Sequence, residues 1–182
     1  RSPGDEAAAG EGGLTGAGAS NRVEEAYAYL VRHYNNTEIG DLSRPIDIFG
    51  FSRGATEARQ LANLIHDRGI PDRTKVIGYE TKELHDSRGE GRRVVRRPVF
   101  AKFEDVEIRF LGLFDTVAAM GIPTNGVNIG WDLGVDAATV RSTRHAVAAD
   151  ESRYGFDLVS VYGPDSASFS APNVQERFFR GA

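Results

Sequence analysis

Gly50-Phe51-Ser52-Arg53-Gly54 fits the G-x-S-x-G pattern, which sets a serine on a sharp turn between a strand and a helix. The chemistry offered by such a corner is nucleophilic acyl transfer. The turn exposes the hydroxyl to a base, and the helix N-terminus beneath it supplies N–H groups and positive partial charge where an oxyanion would form. The Arg53 backbone N–H is one such donor. Glycines are expected at both ends because side chains two residues either side of the apex would collide. The serine needs a base oriented by a carboxylate, and in this arrangement the acid and then the base follow it along the chain. Asp115 fits the acid. It ends the strongest downstream apolar run, Val106 to Phe114, at the sheet edge where α/β proteins gather functional side chains. Asp47 lies inside the strand before the corner and ranks below it, while Asp132 and Asp136 fall in loop and are not ranked.

The base is harder to place. His33 sits off the apolar stripe of the first helix and reads as solvated. His66 is too far along the helix that follows the corner, at about 1.5 Å of rise per residue. His85 belongs to a charged stretch, and His145 falls in Arg-His-Ala-Val-Ala-Ala-Asp-Glu, which reads as mid-helix and makes it only a weak candidate. Other chemistries find less support. The chain has no Cys, which removes thiolate nucleophiles and Cys-ligated metal centres. No H-x-x-x-H spacing is present, Asp150-Glu151 beside Arg153 reads as a helix-end ion pair, and no metal or organic cofactor is expected. No Gly-Lys-Ser/Thr follows a glycine turn. With 22 Lys plus Arg against 26 Asp plus Glu, the net charge of −4 has the wrong sign for nucleic acid. No apolar run approaches the roughly 20 residues of a spanning helix, and no basic head with an apolar stretch opens the chain as an export signal would.

These residues need elements to position them. Residues 1–20 hold six Gly and five Ala and read as a loop. Asn21-Arg-Val-Glu24 reads as a capping box opening a helix, with Val23, Ala26, Tyr27, Leu30 and Tyr34 forming its stripe up to Asn35-Asn36. Ile46 to Phe49 reads as a strand stopping at Gly50. Ala58, Leu61, Ala62 and Ile65 mark the helix after Ser52, with Gly69 and Pro71 as its stop. From Thr74 to Lys102 the pattern is poor and charged, an exposed excursion to which no structure is assigned. The apolar run before Asp115 reads as a covered strand, Gly121 to Gly134 as loop, Val140 to Arg153 as helix and Val174 to Phe179 as a last strand. The order favours an α/β layered sheet.

Three blocks of this sequence resemble one family in its own order. They are Ile48-Phe49-Gly50-Phe51-Ser52-Arg53-Gly54-Ala55, then Phe110-Leu-Gly-Leu-Phe-Asp115-Thr-Val117 with Gly121 four on, then His145-Ala-Val-Ala-Ala-Asp150-Glu151-Ser-Arg153. The family is the α/β-hydrolase domain of the type VI secretion phospholipase effectors of the first Tle class. The resemblance implies an α/β-hydrolase-like layered sheet with helices on both faces. It also implies hydrolysis of acyl esters of glycerophospholipids at a membrane surface, with the nucleophile on Ser52 and the triad acid on Asp115. Secretion by a type VI system and an immunity or adaptor partner go with it. The family's opening strand with its Asp-Gly-Thr turn has no counterpart here. Glu176 to Ala182 resembles the strand that leads into the family's His-Ser-Asp-Val-Gly-Gly-Gly turn, so residues 21–182 read as the central part of one catalytic domain. The base is then expected just beyond Ala182, and the chain by itself is expected to be inert. Two rival readings keep parts of this picture: a cytoplasmic carboxylic-ester hydrolase, and a hydrolase-like interaction module without activity.

Overall fold

Strand β1 (Ile46–Phe51) alternates, with Ile46 and Ile48 buried and Asp47 and Phe49 exposed, as a sheet with one covered face requires. Its parallel neighbour β4 (Ile108–Phe114) buries Ile108, Leu111 and Leu113. The computed structural model describes residues 16–36, 44–85, 92–104, 106–117, 134–135, 138–149, 159–162 and 171–180. Within these, β5 (Thr143–Ala148) and β6 (Val174–Phe179) complete a four-stranded sheet in the order β1-β4-β5-β6, every neighbouring pair parallel.

Helix α1 (Gly16–Tyr34) begins five residues before the Asn21 cap, so residues 16–20 are helical rather than loop. Val23, Val31 and Tyr34 are buried among its described side chains. Helix α2 (Arg53–Arg68) buries Ala55, Ala58, Ala62 and Ile65 and stops where the sequence says. Gly69 takes φ 63° and ψ −174°, a conformation essentially reserved for glycine, and its N–H bonds the Ile65 carbonyl at 2.8 Å to close the helix. Helix α2 packs across β1 and β4, and α1 packs on α2. Val31 and Tyr34 join Ile46, Ile48, Leu111, Leu113 and Val140 in one core. Among the described residues both helices cover the same face. The other face presents Phe49, 64% exposed, Phe51, 65% exposed, and Phe114, so the helical layer expected there is not among them.

Two expectations are corrected. The charged excursion is a β-hairpin of β2 (Pro71–His85) and β3 (Arg92–Lys102), antiparallel, with Glu80 opposite Arg97 and Tyr79 opposite Pro98. The run Arg92-Arg-Val-Val-Arg-Arg97 has a doubled rather than alternating pattern. Each face of β3 therefore receives both kinds of residue, and the strand period is hidden. The helix read over Val140 to Arg153 is instead strand β5 up to Ala148, and residues beyond Ala149 in that stretch lie outside the described residues. Its Ala content favours a helix locally, but pairing on both sides with β4 and β6 overrides that preference. Residues 1–15, and 121–133 of the loop read over Gly121 to Gly134, also lie outside the described residues.

Candidate active site

Ser52 stands between the last residue of β1 and the first of α2, with φ 55° and ψ −122°. That backbone is sparsely populated for a residue with a side chain, and two main-chain bonds hold it: Ser52 N–H to the Phe114 carbonyl at 2.8 Å and Ala55 N–H to the Ser52 carbonyl at 3.0 Å. The side chain makes no capping bond to α2, so the hydroxyl is not committed to the helix. Gly50 is required by contact, because a Cβ there would lie 2.3 Å from the Gly54 carbonyl oxygen and 2.6 Å from the Ala55 Cα. Gly54 is not. A Cβ at Gly54 would meet nothing within 4 Å, which corrects the expectation that both glycines are needed to avoid collision. Arg53 is the first residue of α2, which puts its backbone N–H in the first turn of the helix beneath Ser52.

Asp115 follows the last residue of β4. Phe51 pairs with Phe114, so Ser52 and Asp115 leave neighbouring parallel strands at the same level. Neighbouring strands run about 4.8 Å apart. Asp115 has φ 46°, and with Ser52 it makes up the positive-φ non-glycine residues among those described. Its N–H bonds the Ala146 carbonyl at 2.9 Å, and its carboxylate accepts from the Ala148 N–H, so it leans against the end of β5. Asp47, by contrast, pairs with Arg109 on the exposed sheet face, and that guanidinium lowers its carboxyl below the usual range. Asp132 and Asp136 lie outside the described residues.

Residues 5–182 match the family model described as T6SS, phospholipase effector Tle1-like, catalytic domain. The chain belongs to that family. The Tle1-like chain is also 30% identical over 148 residues to the uncharacterized protein YEL023C of Saccharomyces cerevisiae (strain ATCC 204508 / S288c), covering 75% of this chain and 20% of that protein. A crystal structure of an uncharacterized protein from Pseudomonas aeruginosa is 23% identical with a TM-score of 0.44, over 91% of this chain and 22% of that one. The chain thus spans about a fifth of the length of each.

The histidines of this Tle1-like domain divide by environment. His33 stacks on Tyr29 within α1, ring centroids 6.1 Å apart, and His66 is exposed in the last turn of α2. His85 ends β2. His145 is on β5, 2% exposed, and at the centre of a polar cluster that the sequence reading missed. Its Nε2 lies 3.2 Å from the Thr116 backbone nitrogen and 3.1 Å from Thr116 Oγ1, and its Nδ1 lies 2.8 Å from Glu176 Oε2. A backbone N–H can only donate, so Nε2 is the acceptor and Nδ1 carries the proton given to Glu176. Burial, with Arg59 nearby, lowers the ring's pKa against the pull of Glu176. Neutral imidazole is the result.

Arg59 and Glu176 complete the cluster. The Arg59 guanidinium, pushed down to about 10 by burial, donates to the carbonyls of Ser160 at 3.0 Å and Val159 at 2.8 Å and to Thr116 Oγ1 at 3.3 Å. The Glu176 carboxylate also accepts from the Val161 N–H at 2.9 Å and from Ser160 Oγ. One sequence signal was available: Arg59 interrupts the small-residue face of Ala55, Ala58 and Ala62, and a cation on a buried stripe implies buried acceptors. Among the described residues no group of His, Asp and Glu is arranged to hold a metal ion, and no helix is long and apolar enough to cross a membrane.

Proposed function

We propose that this chain carries the nucleophile and the orienting acid of a serine esterase acting on acyl ester bonds of glycerophospholipids, a phospholipase A reaction. The observation that carries the reading is the placement of Ser52, in its positive-φ corner, one residue past β1, level with Asp115 one residue past the adjacent parallel strand β4. Membership of a family named for phospholipase effectors supports the lipid substrate. The Ser52 oxygen attacks the ester carbonyl while a histidine takes its proton, and the carbonyl becomes a tetrahedral oxyanion that accepts from the Arg53 N–H. Collapse expels the lysolipid alcohol, protonated by that imidazole, and water repeats the sequence on the acyl-enzyme. Asp115 accepts from the imidazolium and fixes its tautomer. His145 does not serve as this base, since both its ring nitrogens are engaged away from Ser52. In this reading the base follows β6 in the full-length protein. Family membership supports secretion by a type VI system, and an immunity or adaptor partner is part of the same proposal.

The deciding experiment measures fatty acid release from phospholipid vesicles by the full-length protein and its Ser52→Ala variant. The variant is expected to lose all but residual catalysis, and undiminished release removes Ser52 from the mechanism. Turnover of short soluble esters with none of vesicles would favour the carboxylesterase reading. Failure of a fluorophosphonate to label Ser52 would favour a domain without catalysis.

A further inference from the structure

The residue after the acid is gripped from three directions. Thr116 N–H and Oγ1 meet His145 from β5, Oγ1 meets Arg59 from α2, and the Thr116 carbonyl accepts from the Val159 N–H at 2.9 Å. One residue further, the Val117 carbonyl accepts from Thr56 Oγ1 at 2.7 Å, again from the helix that begins at Ser52. Asp115 itself sits at φ 46°, a conformation that a free chain would seldom hold. Arg59, Thr116 and His145 are all at most 2% exposed, and the Glu176 side chain is 6% exposed.

We infer that His145, with Thr116, Arg59 and Glu176, is a positioning device that locks the strained turn of Asp115 and so aims its carboxylate at the catalytic imidazole. This rests on the reading of Asp115 as the triad acid. Polarity makes the device specific. Only the neutral ring with its proton on Nδ1 can accept from the Thr116 N–H while donating to Glu176. Glu176 holds that tautomer from β6, and Arg59 from α2 balances the buried carboxylate; Asp115 at the end of β4 is the other charge near the ring. The arrangement binds the acid turn to the nucleophile helix through Thr56 and Arg59, so the two halves of the site share one support. His145 is therefore a positioning residue rather than a catalytic one.

The test is steady-state kinetics on phospholipid vesicles across pH, using the full-length protein with Thr116→Val, His145→Gln and Glu176→Gln beside Asp115→Asn. Each network variant is expected to lose roughly 10- to 100-fold in kcat, the scale of an ångström's misplacement, with KM within about twofold of the parent. The acid limb of kcat/KM is expected to move to lower pH in the same direction as for Asp115→Asn, because an imidazole that loses its carboxylate becomes less basic. A merely structural role would not move that limb. Thermal melting checks folding, and Thr116→Val, which removes a single hydroxyl, decides the matter if His145→Gln fails to fold. Folded network variants with the parent's kcat and acid limb overturn the inference. So does a His145→Gln variant as dead as Ser52→Ala beside a fully active Thr116→Val, which would make His145 the base. Full activity of both Ser52→Ala and Asp115→Asn defeats the site assignment itself, and this inference with it.

Discussion

Ser52 and Asp115 carry unrelated sequence signals, one a spacing of glycines and the other the end of an apolar run, yet both have positive φ and follow adjacent strand ends. Strain of this kind persists where surrounding structure over-determines it, as the bonds to Phe114, Ala55, Ala146 and Ala148 do here. The corner makes a sharp contrast between its two glycines. Gly50→Ala must push a methyl into the Gly54 carbonyl and is expected to destabilise the fold by about 1–3 kcal/mol or to spread the corner. Gly54→Ala, with open space and an ordinary helical position, is expected to stay within about 1 kcal/mol of the parent. Urea unfolding compared with the rate of fluorophosphonate labelling reads both effects, and equal losses at the two positions would contradict the contact geometry. What the sequence could not reveal at this scale is the support beneath Asp115. Arg59, His145 and Glu176 are separated widely along the chain, and only the fold gathers them, His145 against Glu176 directly and Arg59 through Thr116.

Elements were legible where their own pattern decided them. Helix α2 and strands β1, β4 and β6 carry a stripe, an apolar run or a clear stop, whereas β5 is a strand because of its neighbours, and Thr143-Arg-His-Ala-Val-Ala148 alone does not say so. The β2–β3 hairpin hid behind charge. Its cross-strand neighbours explain how such a sequence forms strands at all: Glu80 faces Arg97, and on the diagonal the Arg96 guanidinium lies 4.2 Å from the centre of the Tyr79 ring. At its root Asn35 bonds the Pro71 carbonyl and the Arg73 N–H, and Phe103 N–H bonds the Ile70 carbonyl. A two-stranded hairpin without a sheet to lean on is marginal in water, so its pairs matter to it and little to the rest. Glu80→Lys, which sets like charges opposite each other, is expected to weaken the hairpin by roughly 0.2–1 kcal/mol. Hydrogen exchange should then quicken in β2 and β3 and not in β1 or β4, and a matching loss of protection in the four-stranded sheet would show the two sheets to be coupled.

Among the described residues, the polar cluster is the one place where α2, the end of β4, β5 and β6 are all joined by charge and hydrogen bonds within a covered core. Removing the cation while Glu176 stays buried leaves an uncompensated charge, so Arg59→Met is expected to cost about 3–5 kcal/mol, measured as a fall in the urea midpoint. The same cluster gives the stability of the fold a dependence on pH whose sign is set by His145. Its ring titrates below the ordinary histidine value because burial disfavours the cation. Between that lowered value and about 6.5 the unfolded chain therefore binds a proton that the folded chain refuses. Stability is fully present above about 6.5 and is lost as pH falls through the window, and a protonated Nε2 would also face the Thr116 N–H with a second donor. Urea unfolding of the parent at pH 7.5 and pH 5 should show the loss, and His145→Gln, which cannot titrate, should show less of it despite a lower starting stability. Equal pH dependence in the two proteins would place the titrating group elsewhere and release His145 from the role of a ring held neutral by its surroundings.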